Sequence, residues 1–182
     1  MKRIETRRDD VVESYHGTSV ADPYRWLEDA ESEETRAWVE AQNEASSAYV
    51  HAVEDRPRMS ERLKELLDFP RYSVPTQKAG HYFFSYNTGL QNQAILYQQE
   101  SLEGQPSLLL DPNLLSVDGT VALVTQAYSF DGSLLAYGVS SSGSDWQEIK
   151  IRRVASGEDY PETIRWCKFS SIAWKHDNSG FY

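Results

Sequence analysis

Residues Gly119–Val154, GTVALVTQAYSFDGSLLAYGVSSSGSDWQEIKIRRV, decide how the chain folds. Val121 to Tyr128 is apolar and rich in β-favouring side chains, Asp131-Gly132 is a tight-turn dipeptide, and Leu134 to Val139 is apolar again. Asp-Gly between two such runs signals a hairpin in which both central residues take positive φ. Ser140 to Asp145 reads as a Ser/Gly loop. Gln147 to Val154 then alternates Ile149, Ile151 and Val154 with charged residues, which predicts a half-solvated outer strand. Three consecutive strands with short connections make an antiparallel meander.

The turn has an echo. Tyr128-Ser-Phe-Asp131-Gly-Ser is followed by Trp174-Lys-His-Asp177-Asn-Ser, with an offset of 46 residues between the two aromatics. In each copy an aromatic residue precedes an Asp by three positions, and Gly or Asn comes next. A period of that length suits one four-stranded β-propeller blade. A β-sandwich can produce the same echo, but blade-length periods are less common there.

At 182 residues and 40% hydrophobic, the chain is long enough for one domain, or for a small domain plus part of another. A formal net charge of −10 argues against nucleic acid or an anionic membrane surface as a partner. No run of apolar residues approaches the length that spans a bilayer, and Leu108 to Leu110 reads as a strand fragment. The N-terminus, MKRIETRRDD, lacks the apolar core of a signal peptide. The single cysteine, Cys167, permits no internal disulfide, and no glycosylation sequon is present. These features together predict a cytoplasmic protein.

Residues 1 to 21 read as polar and irregular, and Asp22-Pro23 opens a short helical turn carrying Tyr24, Trp26 and Leu27. Ser32 caps a longer helix to about Val53, with Glu33 and Glu34 in its first turn, where the helix dipole favours acids. A third helix starts near Pro57 and ends before Phe69-Pro70. From Arg71 the hydrophobic period changes from helical to alternating, so the predicted domains are a helical arm over 1–70 and a β domain over 71–182. Residues 1 to 69 hold 10 basic and 17 acidic side chains, against 8 and 11 in the remainder, which points to different partners for the two parts.

Several stretches resemble the prolyl oligopeptidase family. They are Asp22-Pro-Tyr-Arg-Trp-Leu-Glu-Asp29, Val39-Glu-Ala-Gln-Asn43, Tyr86-Asn-Thr-Gly-Leu-Gln-Asn-Gln93, Leu110-Asp-Pro-Asn-Leu-Leu115, Asp118-Gly-Thr-Val-Ala-Leu123 and Ser142-Gly-Ser-Asp-Trp146. The related oligopeptidase B branch shares the first of these, but the Asn-Thr-Gly-Leu-Gln-Asn-Gln run is closer to prolyl oligopeptidase proper. The resemblance covers nearly the whole chain. It implies an N-terminal fragment of α+β class: a helical arm, then an antiparallel meander forming the first blade and part of the second of a seven-bladed β-propeller. In the family the arm packs on an α/β-hydrolase domain in cis, and the Ser-Asp-His triad lies downstream of this segment. The implied activity is hydrolysis of short proline-containing peptides on the carboxyl side of proline, with no cofactor.

The residues themselves offer little chemistry. Gly138-Val-Ser140-Ser-Ser142 lacks the second glycine and the following helix of a nucleophile elbow, so Ser140 and Ser144 read as loop residues. His16, His51, His81 and His176 share no metal-ligand spacing with carboxylates or with Cys167, so no metal is expected. Cys167 reads as a small buried hydrophobe. The acidic face from Glu28 to Glu44 reads as a solvated helix surface. Two positions carry a family role by resemblance. Phe169 matches a phenylalanine that lines the substrate cavity, where it packs residues on the amino side of the scissile proline; its plain alternative is a propeller core aromatic. Asp145 matches an inter-domain loop position able to pair with a base of the peptidase domain, and a solvated loop acid is its alternative. Trp26 and Trp38 read as packing anchors for the hydrolase domain.

A non-catalytic propeller-type binding module is the competing expectation, and it meets a physical objection. Phe181-Tyr182 stops inside a strand, and the arm leaves Trp38 and Tyr49 to cover. The isolated chain is therefore expected to self-associate or to be partly disordered. Sedimentation velocity tests this, and a sharp monomer boundary together with cooperative melting contradicts it.

Overall fold

The structure, a computed structural model, describes residues 4–182. The chain divides into two compact units, with the division between Leu63 and Lys64.

The stretch expected to be irregular holds a hairpin over residues 12–21. Strands β1 (Val12–Tyr15) and β2 (Thr18–Ala21) form a hairpin in which Tyr15 faces Thr18. Its two-residue turn, His16 and Gly17, has φ of +51° and +83°. The left-handed turn matches the twist of the strands, and histidine tolerates the conformation better than a branched residue. Exposed, polar strands this short carry no readable alternation, so sequence reading missed them. Arg25 then gathers the segment: its guanidinium donates to Glu13 at 2.8 Å and Asp22 at 2.6 Å. The Arg25 bond, with a further one from Tyr15, holds the Glu13 carboxyl down to about 2. Tyr24 rather than Asp22 precedes the 3-10 turn Arg25–Glu28.

Helix α1 (Glu33–His51) begins where predicted, because the Ser32 hydroxyl accepts from the Thr35 amide at 3.2 Å. Thr35 is buried and donates to the Trp26 carbonyl. Trp26 and Trp38 meet edge to face at 6.4 Å, and their indoles donate to the Arg7 carbonyl and the Thr6 hydroxyl. The two tryptophans therefore anchor the arm's own N-terminal segment. Tyr49 remains exposed. Helix α2 (Arg56–Leu67) carries the boundary between the units and exposes Met59, Leu63, Leu66 and Leu67.

The second unit holds two antiparallel sheets. The first comprises β3 (Arg71–Tyr72), β4 (Thr76–Lys78), β5 (His81–Asn87), β6 (Ile95–Gln99) and β7 (Ser107–Leu110), in the order β3-β5-β6-β7 with β4 also on β5. The second runs β8 (Val121–Tyr128), β9 (Leu134–Ser141), β10 (Trp146–Arg153) and β11 (Asp159–Lys168) in simple meander order. The sheets share one core of Phe83, Leu96, Leu109, Leu110, Tyr128, Leu135, Tyr137, Val139 and Val154. This is a partial, unclosed propeller.

Strand β11 corrects the expectation that β10 is the outer strand. Its sequence, DYPETIRWCK, holds Pro161 and shows no alternation. The register with β10 slips twice, once across Pro161, as suits an edge strand. The second sheet thus has four strands. Cys167, on this edge, is half-exposed rather than buried.

The echoed turns share their chemistry. Asp131 Oδ1 accepts from the Ser133 amide and hydroxyl at 3.1 and 2.9 Å, and Asp177 Oδ1 accepts from those of Ser179 at 3.0 and 2.7 Å. Gly132 and Asn178 are the left-handed residues, at φ +70° and +58°. Asp131 is not left-handed, so the expected pair of positive φ values reduces to one. The hairpin closes with a bond from the Ser129 amide to the Leu134 carbonyl, around four loop residues instead of two. The second turn also docks on the first: Asn178 Oδ1 accepts from the Phe130 amide at 2.7 Å, and His176 stacks on Phe130. The Trp174 indole donates to the Ala127 carbonyl.

Two outcomes follow for stability. Asn178→Gly keeps the left-handed backbone but removes the acceptor, so hydrogen exchange of the Phe130 amide should accelerate while the core amides of β9 stay protected. Asp159 receives two bonds from Arg152 and one from the Tyr137 hydroxyl. Burial pushes its carboxyl up, yet these bonds outweigh burial and hold it below the usual range. A lowered folded value gives stability that is present above the unfolded value, about 3.9, and is lost as pH falls through the folded value. Asp159→Asn should cost about 1–2 kcal/mol at pH 7 and flatten the acid limb of urea-unfolding midpoints measured against pH.

Candidate functional site

The register fixes which loops share an end of the second sheet. Val121 faces Ser141 and Trp146 faces Lys168, so the β9–β10 loop (142–145) and the end of β11 lie together. The β9–β10 loop turns through Ser142 and Gly143, at φ +52° and +73°. Ser144 fixes its exit by accepting from the Trp146 amide at 3.1 Å.

Phe169 and Asp145, both singled out by resemblance, come to this end and are linked through Lys168. The Lys168 ammonium lies 3.4 Å from Asp145 Oδ2 and within 5.1 Å of the centre of the Phe169 ring. It also sits 5.4 Å from the centre of the Trp146 ring. Phe169 is 78% exposed, so it is not a core aromatic of the described residues. Asp145 is engaged with a base of its own sheet.

Trp166 was not singled out from sequence. It meets Trp146 edge to face at 5.9 Å and is 81% exposed. Its backbone has φ +62°, and Phe169 has φ +51°. Each left-handed non-glycine residue costs roughly 1–2 kcal/mol. The cause at Trp166 is a bulge: between the pairs Gln147–Cys167 and Ile149–Ile164, β11 holds one more residue than β10. Bulges re-aim side chains, and this one turns an indole into solvent. A cleft of about 310 Å³ lies beside it, with Val139, Ser141, Trp146, Glu148, Arg165 and Trp166 among its walls. A tryptophan on a charged, irregular edge strand was the available sequence signal, but without knowledge of the bulge it does not reveal which way the ring points.

The other candidates lie apart. Ser140 is buried in β9 and its hydroxyl donates to the Ser144 carbonyl. His16 sits in the β1–β2 turn, His51 ends α1, His81 opens β5 beside Phe83, and His176 stacks on Phe130. Among the described residues no cluster of three or more His, Cys, Asp or Glu is placed to hold a metal ion. No helix among them is long and apolar enough to cross a membrane.

The motifs that carried the resemblance are structural braces. Asn87, nearly fully buried, accepts from the Gly89 amide and donates to the Gln91 carbonyl, shaping the β5–β6 loop. Gln93 reaches across to β8, accepting from the Leu123 amide and donating to the Val121 carbonyl, both at 2.8 Å. Asn113 brackets the Gln93 backbone from both sides, and Asp111 orients Asn113. Gln93 thus joins one sheet to the next, with Asn113 and Asp111 holding it in place.

Known proteins agree with this architecture. The family model "Prolyl oligopeptidase, N-terminal beta-propeller domain" matches residues 4–182. The chain is 36% identical over 182 residues to the prolyl endopeptidase of Elizabethkingia meningoseptica, covering all of this chain and 26% of that protein. It is 34% identical to the dual function macrocyclase-peptidase POPB of Amanita bisporigera, covering 97% of this chain and 28% of that one. A solved prolyl endopeptidase structure, from work on inter-domain dynamics in catalysis and specificity, superposes with a TM-score of 0.84 at 35% identity over 99% of this chain and 27% of its own. Prolyl oligopeptidase B from Galerina marginata, bound to a 35-residue substrate, gives a TM-score of 0.76 at 30% identity, over 99% of this chain and 29% of its own. The chain spans about a quarter of the length of these relatives. A helical arm leading into propeller sheets, joined through Gln93 and its Asn113 brace and matched along residues 4–182, places the chain in the prolyl oligopeptidase family as an N-terminal fragment.

Proposed function

We propose that this chain is the N-terminal part of a cytoplasmic serine endopeptidase that hydrolyses short peptides on the carboxyl side of proline. The observation that carries the reading is the match of the propeller family model along residues 4–182, together with relatives that are prolyl endopeptidases. In that enzyme the triad belongs to an α/β-hydrolase domain and acts by acyl transfer, with the serine attacking the prolyl carbonyl and histidine moving the proton. None of the serines of this segment takes that role; buried Ser140 spends its hydroxyl on a backbone carbonyl.

This segment contributes binding and assembly. Helix α1 and the residues just after it leave Tyr49, Val50 and Val53 exposed, apolar side chains suited to packing on the hydrolase domain in cis. Phe169 packs the peptide on the amino side of the scissile proline, using a ring already held in solvent. Asp145 serves the inter-domain loop, where its carboxylate accepts from a base of the hydrolase domain while staying paired with Lys168. That pair is solvent-exposed, which leaves the carboxylate room for a second donor.

A chromogenic amide of a blocked Gly-Pro dipeptide tests the reading. The isolated chain should give no turnover. The product of the same reading frame continued past Tyr182 should cleave it at least about 10⁶-fold faster than the uncatalysed rate. Turnover by the pure 182-residue chain, or a folded longer product that leaves the amide intact, overturns the proposal.

A further inference from the structure

The end of the second sheet holds more aromatic surface than a single contact through Phe169 uses. Trp146 and Trp166 stand edge to face beside the cleft of about 310 Å³, and Lys168 ties Trp146 to Phe169. The charges around them are spent on one another: Lys168 pairs with Asp145 at 3.4 Å and Arg165 pairs with Glu148 at 3.3 Å. What remains to meet a ligand is ring surface with no net charge, which selects against acidic or basic side chains. Trp166 is also kept out of the core by a bulge and a left-handed backbone. An outlier of that kind at an exposed ring points toward contact with a ligand, not toward packing.

We propose that Trp146 and Trp166 form a second aromatic contact beside Phe169, which takes a proline ring or another apolar side chain of the same bound peptide. The proposal rests on the reading of Phe169 as a peptide contact given above. A proline ring suits the indoles because it is flat-sided and its backbone is already restricted, so little freedom is lost on binding. Glycine at the same place offers the indoles nothing to cover. The pair therefore makes the enzyme selective at a peptide residue beyond the one that Phe169 meets.

The test is a nuclear magnetic resonance titration of the product of the same reading frame continued past Tyr182, its nucleophilic serine changed to alanine, with blocked tetrapeptides ending in proline and differing at the first residue: proline, phenylalanine or glycine. The indole N–H signals of Trp146 and Trp166 are assigned from Trp→Phe variants. The proline and phenylalanine peptides should move both signals and bind at least about fivefold more tightly than the glycine peptide. Trp166→Ala, at an exposed site, should abolish that preference, whereas Phe169→Ala should weaken all three peptides alike. Indole signals that stay fixed while the Phe169 ring signals move overturn this proposal and leave the Phe169 reading intact. Signals fixed at every position, up to about 10 mM peptide, overturn both. Indole shifts that follow protein concentration and not peptide mark a self-association face and also overturn the proposal.

Discussion

The stacking of Phe83 on Tyr128, at 4.0 Å between ring centres, joins the two sheets, and most of what surrounds it depends on that contact. Leu96, Leu109 and Leu110 close over it from the first sheet, and Leu135, Tyr137 and Val139 from the second. Each fully buried side chain of this size contributes about 1.5–3 kcal/mol, so this cluster outweighs any single polar bond in the unit. Its geometry also fixes register. Because strand side chains alternate, a slip of one residue in β9 would turn Leu135, Tyr137 and Val139 away from the first sheet.

Polar braces then specify where the sheets meet. Gln93, held through its backbone by Asn113, satisfies backbone groups at the start of β8, and the Arg152–Asp159–Tyr137 network closes the other end of the same sheet. Arg152 also donates to the Leu109 carbonyl, so this network too spans both sheets. Gly138 has a different duty. A Cβ there would meet Thr125 Cγ2 at 2.6 Å and Gln147 Oε1 at 2.7 Å, so only glycine lets the neighbouring strands' side chains close over β9. Gln93, in one of the stretches that carried the resemblance, is thus concerned with joining the sheets.

The aromatic end of the second sheet is organised differently from the core. There the rings are exposed, the backbone is strained at Trp166 and Phe169, and charges pair locally instead of reaching across sheets. A rigid sheet carrying an irregular rim is the usual division between scaffold and binding surface.

Much of the scaffold was legible in the chain. The apolar runs at 81–86, 94–99, 121–128 and 134–139 became strands nearly to the residue, and Ser32 capped α1, because alternation and capping are local effects written in adjacent positions. The echoed Asp-Gly-Ser and Asp-Asn-Ser turns were legible for the same reason. Tertiary structure alone decided the rest. Strand β11 exists because β10 offers it hydrogen bonds, not because its own residues alternate. Trp26 and Trp38 turned inward because residues from far along the chain accepted their N–H groups. Trp166 points outward because of a bulge, which arises only once two strands are paired and their lengths fail to match.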